Sequence, residues 1–469
     1  MTMSPTNKPA TIGQLRESGY RVLPVREEMR QNLIRKLRAG ESLFPGIIGY
    51  EESVIPQVEN AILSGQDIVL LGERGQAKTR IARSLVNLLD EEVPAIAGCE
   101  INDDPFNPLC KACRLRVADE GDDTPVHWIS RDVRYGEKLA TPDISIADLI
   151  GEVDPIRVAE GRYLSDELTI HYGIIPRTNR GIFCINELPD LAERIQVGLL
   201  NIMEERDVQI RGYKVRLPLD VFVVASANPE DYTNRGRIIT PLKDRMGSEI
   251  RTHYPRTLEA EIAIMESEMR PFEAEGIEVV FPQYMKEVIA EITQQARHSS
   301  EISQRSGVSV RTTIANGENL VSNAVRRAIR LKERQAAPRV SDLSAVLAST
   351  TGKIELDTIG EVREEKVVDK LVRQAISTVF RQYFDVTEFE QLVAGFEKGL
   401  NVQVSAAQPS MEYVNQLAKV GGLRPAVDKL HGHGSPATVA SAVEFILEGL
   451  HLNKRLNKDE VAGQTRYRR

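Results

Sequence analysis

The fold of this chain is decided by the stretch Asp67-Ile68-Val69-Leu70-Leu71-Gly72-Glu73-Arg74-Gly75-Gln76-Ala77-Lys78-Thr79. The apolar run 68–71 predicts a short buried strand, which the glycine-containing segment 72–77 follows at once. Beyond Thr79, apolar residues recur at helical spacing, at Ile81, Leu85, Leu88 and Leu89. The order strand, glycine-containing loop, helix is typical of a phosphate-binding loop, in which backbone N–H groups at a helix N-terminus hold phosphate oxygens.

This loop fits the pattern G-x-x-x-x-G-K-T with one departure, since Ala77 stands where a second glycine is expected. Lys78 is expected to reach the β- and γ-phosphates, and the Thr79 hydroxyl to ligate Mg²⁺. Alanine is tolerable at this position if the backbone of residue 77 need not adopt a positive φ. The alternative is a chance turn between a strand and a helix. The nucleotide-binding residues that we predict are Gly72, Glu73, Arg74, Gly75, Gln76, Ala77, Lys78 and Thr79.

Two further apolar runs end in polar residues. The run 181–185 is followed by Asn186 and Glu187, and the run 221–225 ends near Asn228. In phosphate-loop ATPases such a strand tip carries an Asp that organises Mg²⁺ and a Glu that polarises the attacking water. Here Glu187 is the candidate base, whereas Asn186 can bind a metal-bound water but supplies no charge. Asn228 is a candidate for orienting the water or contacting the γ-phosphate, although an Asn-Pro turn is the alternative.

Taken in order, these motifs resemble those of AAA+ ATPases, and more narrowly those of the magnesium-chelatase I-subunit and MoxR-like branch. The resemblance covers roughly residues 40–335. It extends to FPGIIGYEE at 44–52, to LLNIMEERDVQI at 199–210 with a hairpin signal after it, to SANPE at 226–230 and to LKDR at 242–245.

The resemblance implies an α/β fold, with a parallel-sheet P-loop AAA+ core, an α-helical lid and an additional α-helical C-terminal region. Strands that alternate with helical stretches independently favour a parallel sheet between helices. Segment 91–127 is rich in Asp, Pro and Cys, and we interpret it as an insertion without regular elements. The expected boundaries are an N-terminal helical segment 1–40, the ATPase core 41–258, the lid 259–350 and the C-terminal region 351–469.

The resemblance also implies roles for three residues. Asn228 looks like the sensor of the γ-phosphate, Arg245 like an arginine finger inserted into the neighbouring subunit's site, and Arg311 like a second sensor in the lid. Arg235 and Arg237 are alternative fingers, and the simplest interpretation of each arginine is a solvated surface charge. A finger supplied by a neighbour implies a closed homo-oligomeric ring, usually six-membered.

The four cysteines lie at 99, 110, 113 and 184, too few for a disulfide framework. Cys110 and Cys113 have the spacing that lets two thiolates share one Zn²⁺, and Cys99 with His127 would complete a Cys₃His site. Free or redox-active thiols are the alternative. Cys184 is expected to serve packing, and the His431–Gly434 segment to be a linker.

Composition sets further bounds on function. The 469 residues carry 60 Lys and Arg against 68 Asp and Glu, a net charge of -8, which disfavours a dedicated nucleic-acid binder. No apolar run approaches the ~18 residues that span a bilayer. The first residues lack the apolar segment of a signal peptide, so we expect a cytoplasmic protein.

These observations predict a ring-forming, Mg²⁺-dependent ATPase that binds ATP and remodels a partner. The resemblance implies a partner with a von Willebrand factor A-type domain. Ala77, Asn186 and the C-terminal extension favour a role in protein or cofactor maturation over the alternative of an authentic chelatase motor that inserts Mg²⁺ into protoporphyrin. An alternative of another class is a nucleotide-binding assembly protein with little hydrolysis, which Asn186 would support. An activator of the alternative sigma factor is disfavoured, because no GAFTGA-like loop occurs at 130–180.

Overall fold

The computed structural model describes residues 8–159, 166–204, 207–209, 216–229, 236–272, 276–304, 306–357, 363–461 and 464–469. The chain divides into two compact units, Met1–His253 and Tyr254–Arg469. No helix of the described residues is long and apolar enough to cross a membrane.

The first unit mixes helices and strands. Its helices are α1 (Ile12–Glu17), α2 (Val25–Ala39), α3 (Val54–Leu63), α4 (Lys78–Ser84), α5 (Lys111–Glu120), α6 (Ile146–Leu149), α7 (Pro155–Ala159), α8 (Ile174–Arg177), α9 (Glu193–Glu204) and α10 (Thr240–Arg245). Its strands are β1 (Ile68–Leu71), β2 (Glu92–Ile96), β3 (Val126–Ser130), β4 (Tyr135–Leu139), β5 (Gly151–Val153), β6 (Ile170–Tyr172), β7 (Gly181–Asn186), β8 (Asp207–Gln209), β9 (Arg216–Pro218), β10 (Val221–Ala227) and β11 (Ser248–Arg251).

Five of these strands form one sheet in the order β11-β1-β10-β7-β4. Every neighbouring pair is parallel, and Ile68 of β1 pairs with Val224 of β10 on one side and Ser248 of β11 on the other. The predicted α/β fold with a parallel sheet is confirmed. Because β1, β7 and β10 are parallel, the residues that follow them meet at one edge of the sheet, where the phosphate-loop pattern and the two polar strand tips come together.

Helices cover both faces of this sheet. Ile68 and Leu70 of β1 belong to a core with side chains of α2, α3 and α4. Val69 and Leu71 belong to a second core, with side chains of α5, α6, α8, α9 and α10. Strands buried on both faces are near-continuously apolar, which is why β1, β7 and β10 were recognisable as apolar runs.

The segment 91–127 differs from its prediction as an irregular insertion. It contains β2 and α5 and ends in β3, and β2 and β3 pair antiparallel. Pro94 lies within β2, opposite Trp128, in a sheet of only two strands. Proline is tolerated at such an edge because no further strand needs its missing N–H, so this proline and the surrounding acidic residues concealed a regular pair of antiparallel strands.

The hairpin signal after α9 is confirmed, since β8 and β9 pair antiparallel. The expected turn, Arg211-Gly212-Tyr213, lies outside the described residues.

The second unit is mainly helical, as expected. Its helices are α11 (Leu258–Glu268), α12 (Gln283–His298), α13 (Val310–Leu331), α14 (Val346–Thr351), α15 (Glu364–Tyr383), α16 (Glu390–Glu397), α17 (Ser410–Leu417), α18 (Arg424–Lys429) and α19 (Pro436–Leu452). Its strands are β12 (Glu278–Val279), β13 (Gln335–Ala336), β14 (Val402–Val404), β15 (Asn457–Val461) and β16 (Gln464–Arg468). The last three form an antiparallel sheet that the sequence did not predict.

One apolar core of this unit draws on both sides of residue 350. It contains Tyr284 of α12 and Phe445 of α19, whose ring centroids lie 4.7 Å apart. The Tyr284 hydroxyl donates to Ser441 Oγ at 2.7 Å. The segments that we expected as lid and C-terminal region therefore share a core.

Candidate nucleotide-binding site

The phosphate-loop segment follows β1, which lies between β11 and β10 in the sheet, and is held from both of these neighbours. The Gly72 N–H donates to Ala227 O at 3.1 Å, and the Thr252 N–H donates to Leu71 O at 2.8 Å. A Cβ at Gly72 would collide with Thr252 Oγ1 and Gln76 Oε1. These two groups are themselves joined by a 2.7 Å hydrogen bond. Glycine at 72 is therefore required by close approach.

Ala77 occupies the N-cap of α4 with φ 57° and ψ 15°, in the left-handed region. The condition under which alanine would be tolerable here, a backbone that need not adopt a positive φ, is therefore not met. The Cβ of an L-residue in this region approaches its own carbonyl, at a cost of roughly 1–2 kcal/mol. The turn has the geometry that the missing glycine would supply, and the alanine adopts it under strain.

Lys78 is buried, and its ammonium lies inside the curve of the loop. Nζ donates to the carbonyls of Gly72 and of Glu73, the latter at 2.8 Å. It also donates to Asn228 Oδ1 at 2.7 Å. Because a lysine is seldom buried unless its charge is paired or hydrogen-bonded, these oxygens account for its position.

Asn228 connects this lysine to Glu187. Its Nδ2 donates to Glu187 Oε2 at 2.6 Å, while its Oδ1 accepts from Lys78. Glu187 itself has a left-handed backbone, with φ 56°, and its N–H donates to Ser226 Oγ at 3.2 Å. Non-glycine residues in this conformation occur preferentially at functional sites. The structure thus brings together the predicted lysine, sensor and base in one hydrogen-bonded chain.

Asn186 lies beside Thr79, and its orientation is fixed by a residue that the sequence did not point to. Asn186 Oδ1 is 3.5 Å from Thr79 Oγ1 and accepts from Ser226 Oγ at 3.2 Å. Its Nδ2 donates to Glu137 Oε1 at 2.7 Å. Since the amide N–H₂ must face the Glu137 carboxylate, the amide oxygen is turned toward Thr79.

Glu137 is a partly buried acidic residue that lies beside Asn186. It lies on β4, opposite Cys184 of β7, and accepts from Arg83 at 2.7 and 3.0 Å. The hydrogen bond from Arg83 lowers the pKa of Glu137 below its ordinary value. The oxygens of Thr79 and Asn186 are of the type that Mg²⁺ prefers, so the residues present fit this ion, while Glu137 contacts the amide N–H₂ of Asn186 on its other side. The sequence signal that could have pointed to Glu137 was an acidic residue inside a weakly apolar strand, YGEKL.

Tyr50, from the FPGIIGYEE segment, braces the loop from outside. Its hydroxyl lies 3.0 Å from Gln76 O and 2.8 Å from His253 O. Burial raises the pKa of Tyr50 to about 12, so the phenol stays neutral at physiological pH. An open cleft of about 370 Å³ adjoins the loop, lined by Leu71, Gly72, Glu73, Gln76, Pro229, Lys243, Arg251 and Thr252.

Of the candidate arginines, Arg237 and Arg245 belong to the first unit and Arg311 to the second. Arg245 ends α10 and donates from Nη1 to Pro241 O at 2.9 Å. Arg237 is exposed and 3.7 Å from Glu193, and Arg235 lies outside the described residues. Arg311 belongs to the second unit, where its N–H donates to the N-cap Ser309 Oγ at 3.1 Å. Their roles as fingers and second sensor stay predictions.

The cysteine cluster forms, but with a different fourth residue. The ligand atoms of Cys99, Asp103, Cys110 and Cys113 all lie within 4.8 Å of one another. His127, the fourth ligand that we expected, is instead exposed on β3 and is not part of this group. Residue 127 pairs with Ala95 between β2 and β3. The chain after β2 instead turns back, with the Ile96 N–H donating to Asp103 O, and Asp103 lies beside the cysteines. Cys184 is buried in β7, consistent with packing.

The charges of this cluster are coupled. Hydrogen bonds with the Cys110 and Cys113 thiols lower the pKa of Cys99 to about 3. Burial, and then the charge of Cys99, raises the pKa of Asp103 to about 6. The ionisation of each of these groups therefore depends on the charge of the others.

No protein-family model matches the chain. Among curated proteins it is 26% identical over 239 residues to magnesium-chelatase subunit ChlI-2 of Arabidopsis thaliana, covering 48% of this chain and 52% of that protein. It is 24% identical over 229 residues to magnesium-chelatase subunit ChlI of Nostoc sp., covering 48% and 57%. The chain thus spans about half the length of the curated relatives it matches.

Among solved structures, one chain of the cryo-EM-based complex of subunits BchI and BchD of magnesium chelatase aligns over 69% of this chain and 98% of its own length. Its identity is 19% and its TM-score 0.36. The relationship rests on sequence rather than on this likeness. Over about half of its length the chain is similar in sequence to magnesium-chelatase I subunits, in agreement with the resemblance of its motifs.

Proposed function

We propose that this protein is a ring-forming, Mg²⁺-dependent ATPase that couples ATP hydrolysis to the remodelling of a partner protein. The observation that carries the proposal is the hydrogen-bonded chain from Lys78 through Asn228 to Glu187 at the end of the phosphate loop. One amide group, that of Asn228, bonds both the Lys78 ammonium, which can bind phosphate, and the Glu187 carboxylate, which can accept a proton from water.

In this proposal, the backbone N–H groups of loop 72–77 and the N-terminus of α4 hold the phosphates of ATP. Lys78 exchanges a protein oxygen for a phosphate oxygen. Glu187 accepts a proton from the water that attacks the γ-phosphorus, while Asn228 keeps the carboxylate in place. Products are ADP and inorganic phosphate.

Thr79 and Asn186 would hold Mg²⁺, with Glu137 holding the Asn186 amide in its orientation. Bound there, the ion would neutralise charge on the phosphate oxygens. Because its carboxylate is engaged by Asn186 and Arg83, Glu137 acts mainly by orienting the Asn186 oxygen.

We further propose a homo-oligomeric ring, with Arg245 completing the neighbour's site and Arg311 closing over the phosphates. A protein with a von Willebrand factor A-type domain is the proposed partner. The second candidate, a motor subunit that drives Mg²⁺ insertion into protoporphyrin, is favoured by the magnesium-chelatase relatives. A nucleotide-binding assembly protein with little hydrolysis is favoured by the neutral Asn186.

Steady-state ATPase rates, measured together with sizing in ATP and in ADP, test the proposal. Wild type should turn over and assemble with ATP. Glu187→Gln should assemble without turnover, and Lys78→Met should bind ATP far more weakly. If wild type assembles with ATP but hydrolyses it no faster than Glu187→Gln, only the alternative of a nucleotide-binding assembly protein with little hydrolysis remains.

Mixing subunits tests the shared site. Arg245→Ala and Glu187→Gln subunits are each expected to be inactive alone, but mixed rings contain some sites with an intact Glu187 and a neighbour's intact Arg245. Activity should therefore reappear on mixing. No complementation at any ratio would contradict a finger supplied by the neighbour.

A further inference from the structure

A second, independent site lies in the segment 97–120, between β2 and the end of α5. We propose that Cys99, Asp103, Cys110 and Cys113 bind one structural Zn²⁺. The ligand atoms of all four residues lie within 4.8 Å of one another. Two thiolates at the Zn–S distance of ~2.3 Å are ~3.8 Å apart in a tetrahedron, a separation within the 4.8 Å that bounds these ligand atoms, so one ion could join them.

The sulfurs are surrounded by backbone donors. The N–H groups of Ile101 and Asp103 each donate to Cys99 Sγ at 3.4 Å. The Cys113 N–H donates to Cys110 Sγ, also at 3.4 Å, at the N-cap of α5. Donors outside the ligand set orient metal-bound groups, and a helix N-terminus favours thiolate over thiol.

Asp103 supplies the observation that points to a cation. Its side chain is 0% exposed, and Oδ2 accepts from the Cys110 N–H at 3.0 Å. The other oxygen, Oδ1, is buried with no hydrogen-bond partner among the described residues. A buried carboxylate oxygen without a partner is costly unless it coordinates a metal. The carboxylate is thus the fourth ligand, in the place where the sequence suggested His127.

The helix that carries two of the cysteines also needs an anchor. Within α5, Cys113 is the one buried residue, and Leu115 is 54% exposed. Short helices in proteins are stabilised mainly by packing an apolar face, which α5 largely lacks. A metal that joins Cys110 and Cys113 to the turn after β2 would attach this helix to the sheet core.

The donor set selects the metal. Thiolates favour Zn²⁺, Cu⁺ and iron–sulfur centres, but the carboxylate oxygen is a hard ligand that Zn²⁺ accepts and Cu⁺ does not. Four protein ligands leave no open position, which is the pattern of structural rather than catalytic zinc. Lys111 and Arg116 line the cavity beside the cluster, together with Glu100 and Glu167.

Metal analysis of the full chain, purified with a reductant and without chelator, tests the proposal. Wild type should contain one zinc per chain. Cys113→Ser should lose it, and Asp103→Asn should bind it at least about tenfold more weakly in competition with a chromogenic chelator, by comparison with the 10–100-fold effects of residues outside the ligand set. His127→Ala and Cys184→Ser are matched controls that should keep it.

Wild-type protein alone gives a second measurement, which does not depend on whether the variants fold. Removing zinc with a chelator should release thiols to a thiol reagent, and cobalt added instead should give the thiolate charge-transfer absorption of a tetrahedral site. Wild-type protein that contains no zinc and takes up neither zinc nor cobalt would overturn the proposal. A Cys110–Cys113 disulfide in protein purified with a reductant would also overturn it. Zinc lost from His127→Ala but kept by Asp103→Asn would overturn the ligand set.

Discussion

Replacing Ala77 by glycine should stabilise the first unit. Residue 77 has φ 57°, where an L-residue with a Cβ is strained by roughly 1–2 kcal/mol. Glycine removes this strain but loses more backbone entropy on folding, a cost of roughly 0.5–1 kcal/mol. The difference predicts a gain of about 1 kcal/mol in the free energy of unfolding. A glycine elsewhere in the same helix should do the opposite, because the left-handed strain is absent there.

The single tryptophan makes this measurement specific to the unit concerned. Trp128 lies on β3 in the first unit, 5.7 Å from the ring of Tyr20, and its Nε1 donates to Pro9 O at 3.0 Å. Its fluorescence during urea unfolding therefore reports the first unit. With a slope of about 3 kcal/mol/M for a unit of this size, 1 kcal/mol moves the midpoint up by about 0.3 M.

Ala82→Gly is the matched control. Ala82 is buried inside α4, so glycine there should lower the midpoint by a similar or larger amount, since glycine in a helix interior costs about 1 kcal/mol relative to alanine. If Ala77→Gly leaves the midpoint unchanged or lowers it as Ala82→Gly does, the left-handed turn at 77 and the account of the altered loop are wrong.

Three further predictions follow from ion pairs and hydrogen bonds in the first unit. Glu28→Gln should destabilise it by about 3–5 kcal/mol in the same urea assay, because Arg134 is buried and donates to both Glu28 oxygens, at 2.8 and 2.5 Å, and would lose its counter-charge; an unchanged midpoint contradicts this. Arg83→Ala should lower the free energy of unfolding at pH 7, and progressively less as the pH falls, because Arg83 lowers the pKa of Glu137. The stabilisation is present above the ordinary carboxyl pKa of ~4.3 and disappears as the pH falls through the lower pKa of the folded state. A stability difference between wild type and variant that does not shrink on acidification would argue against the pair. Asn186→Asp would set a second carboxylate 2.7 Å from the Glu137 oxygen and should therefore weaken Mg²⁺-dependent turnover. Adding Glu137→Gln should restore the turnover. If the single variant Asn186→Asp and the double variant are equally active, Glu137 does not orient residue 186.

The fold was largely predictable because its deciding elements are local. β1, β7 and β10 are buried on both faces, so each is a continuous apolar run, and the loop of 72–79 carries its own pattern. The strands β2 and β3 escaped prediction because they lie in a two-stranded sheet that tolerates Pro94 and leaves His127 exposed. Edge strands of this kind lack the apolar signal.

The site was predictable where one motif positions its own residues and not where the topology joins distant ones. Lys78, Glu187 and Asn228 were found from motif order. Glu137 was missed because its contact with Asn186 depends on β4 pairing with β7, 49 residues later in the chain. Asp103 was missed because three cysteines and a histidine suggest a zinc site by residue type alone, whereas the turn after β2 decides which side chain reaches the sulfurs.

The central claim is that Glu187 is the base for hydrolysis of ATP bound at the loop. A single-turnover measurement with Mg²⁺ and labelled ATP separates binding from chemistry, with Glu187→Gln compared with wild type at protein concentrations above the dissociation constant. We predict that the variant binds ATP as tightly as wild type and cleaves it at least about 100-fold more slowly, as general-base catalysis typically contributes. Cleavage of bound ATP at the wild-type rate by Glu187→Gln would contradict the account.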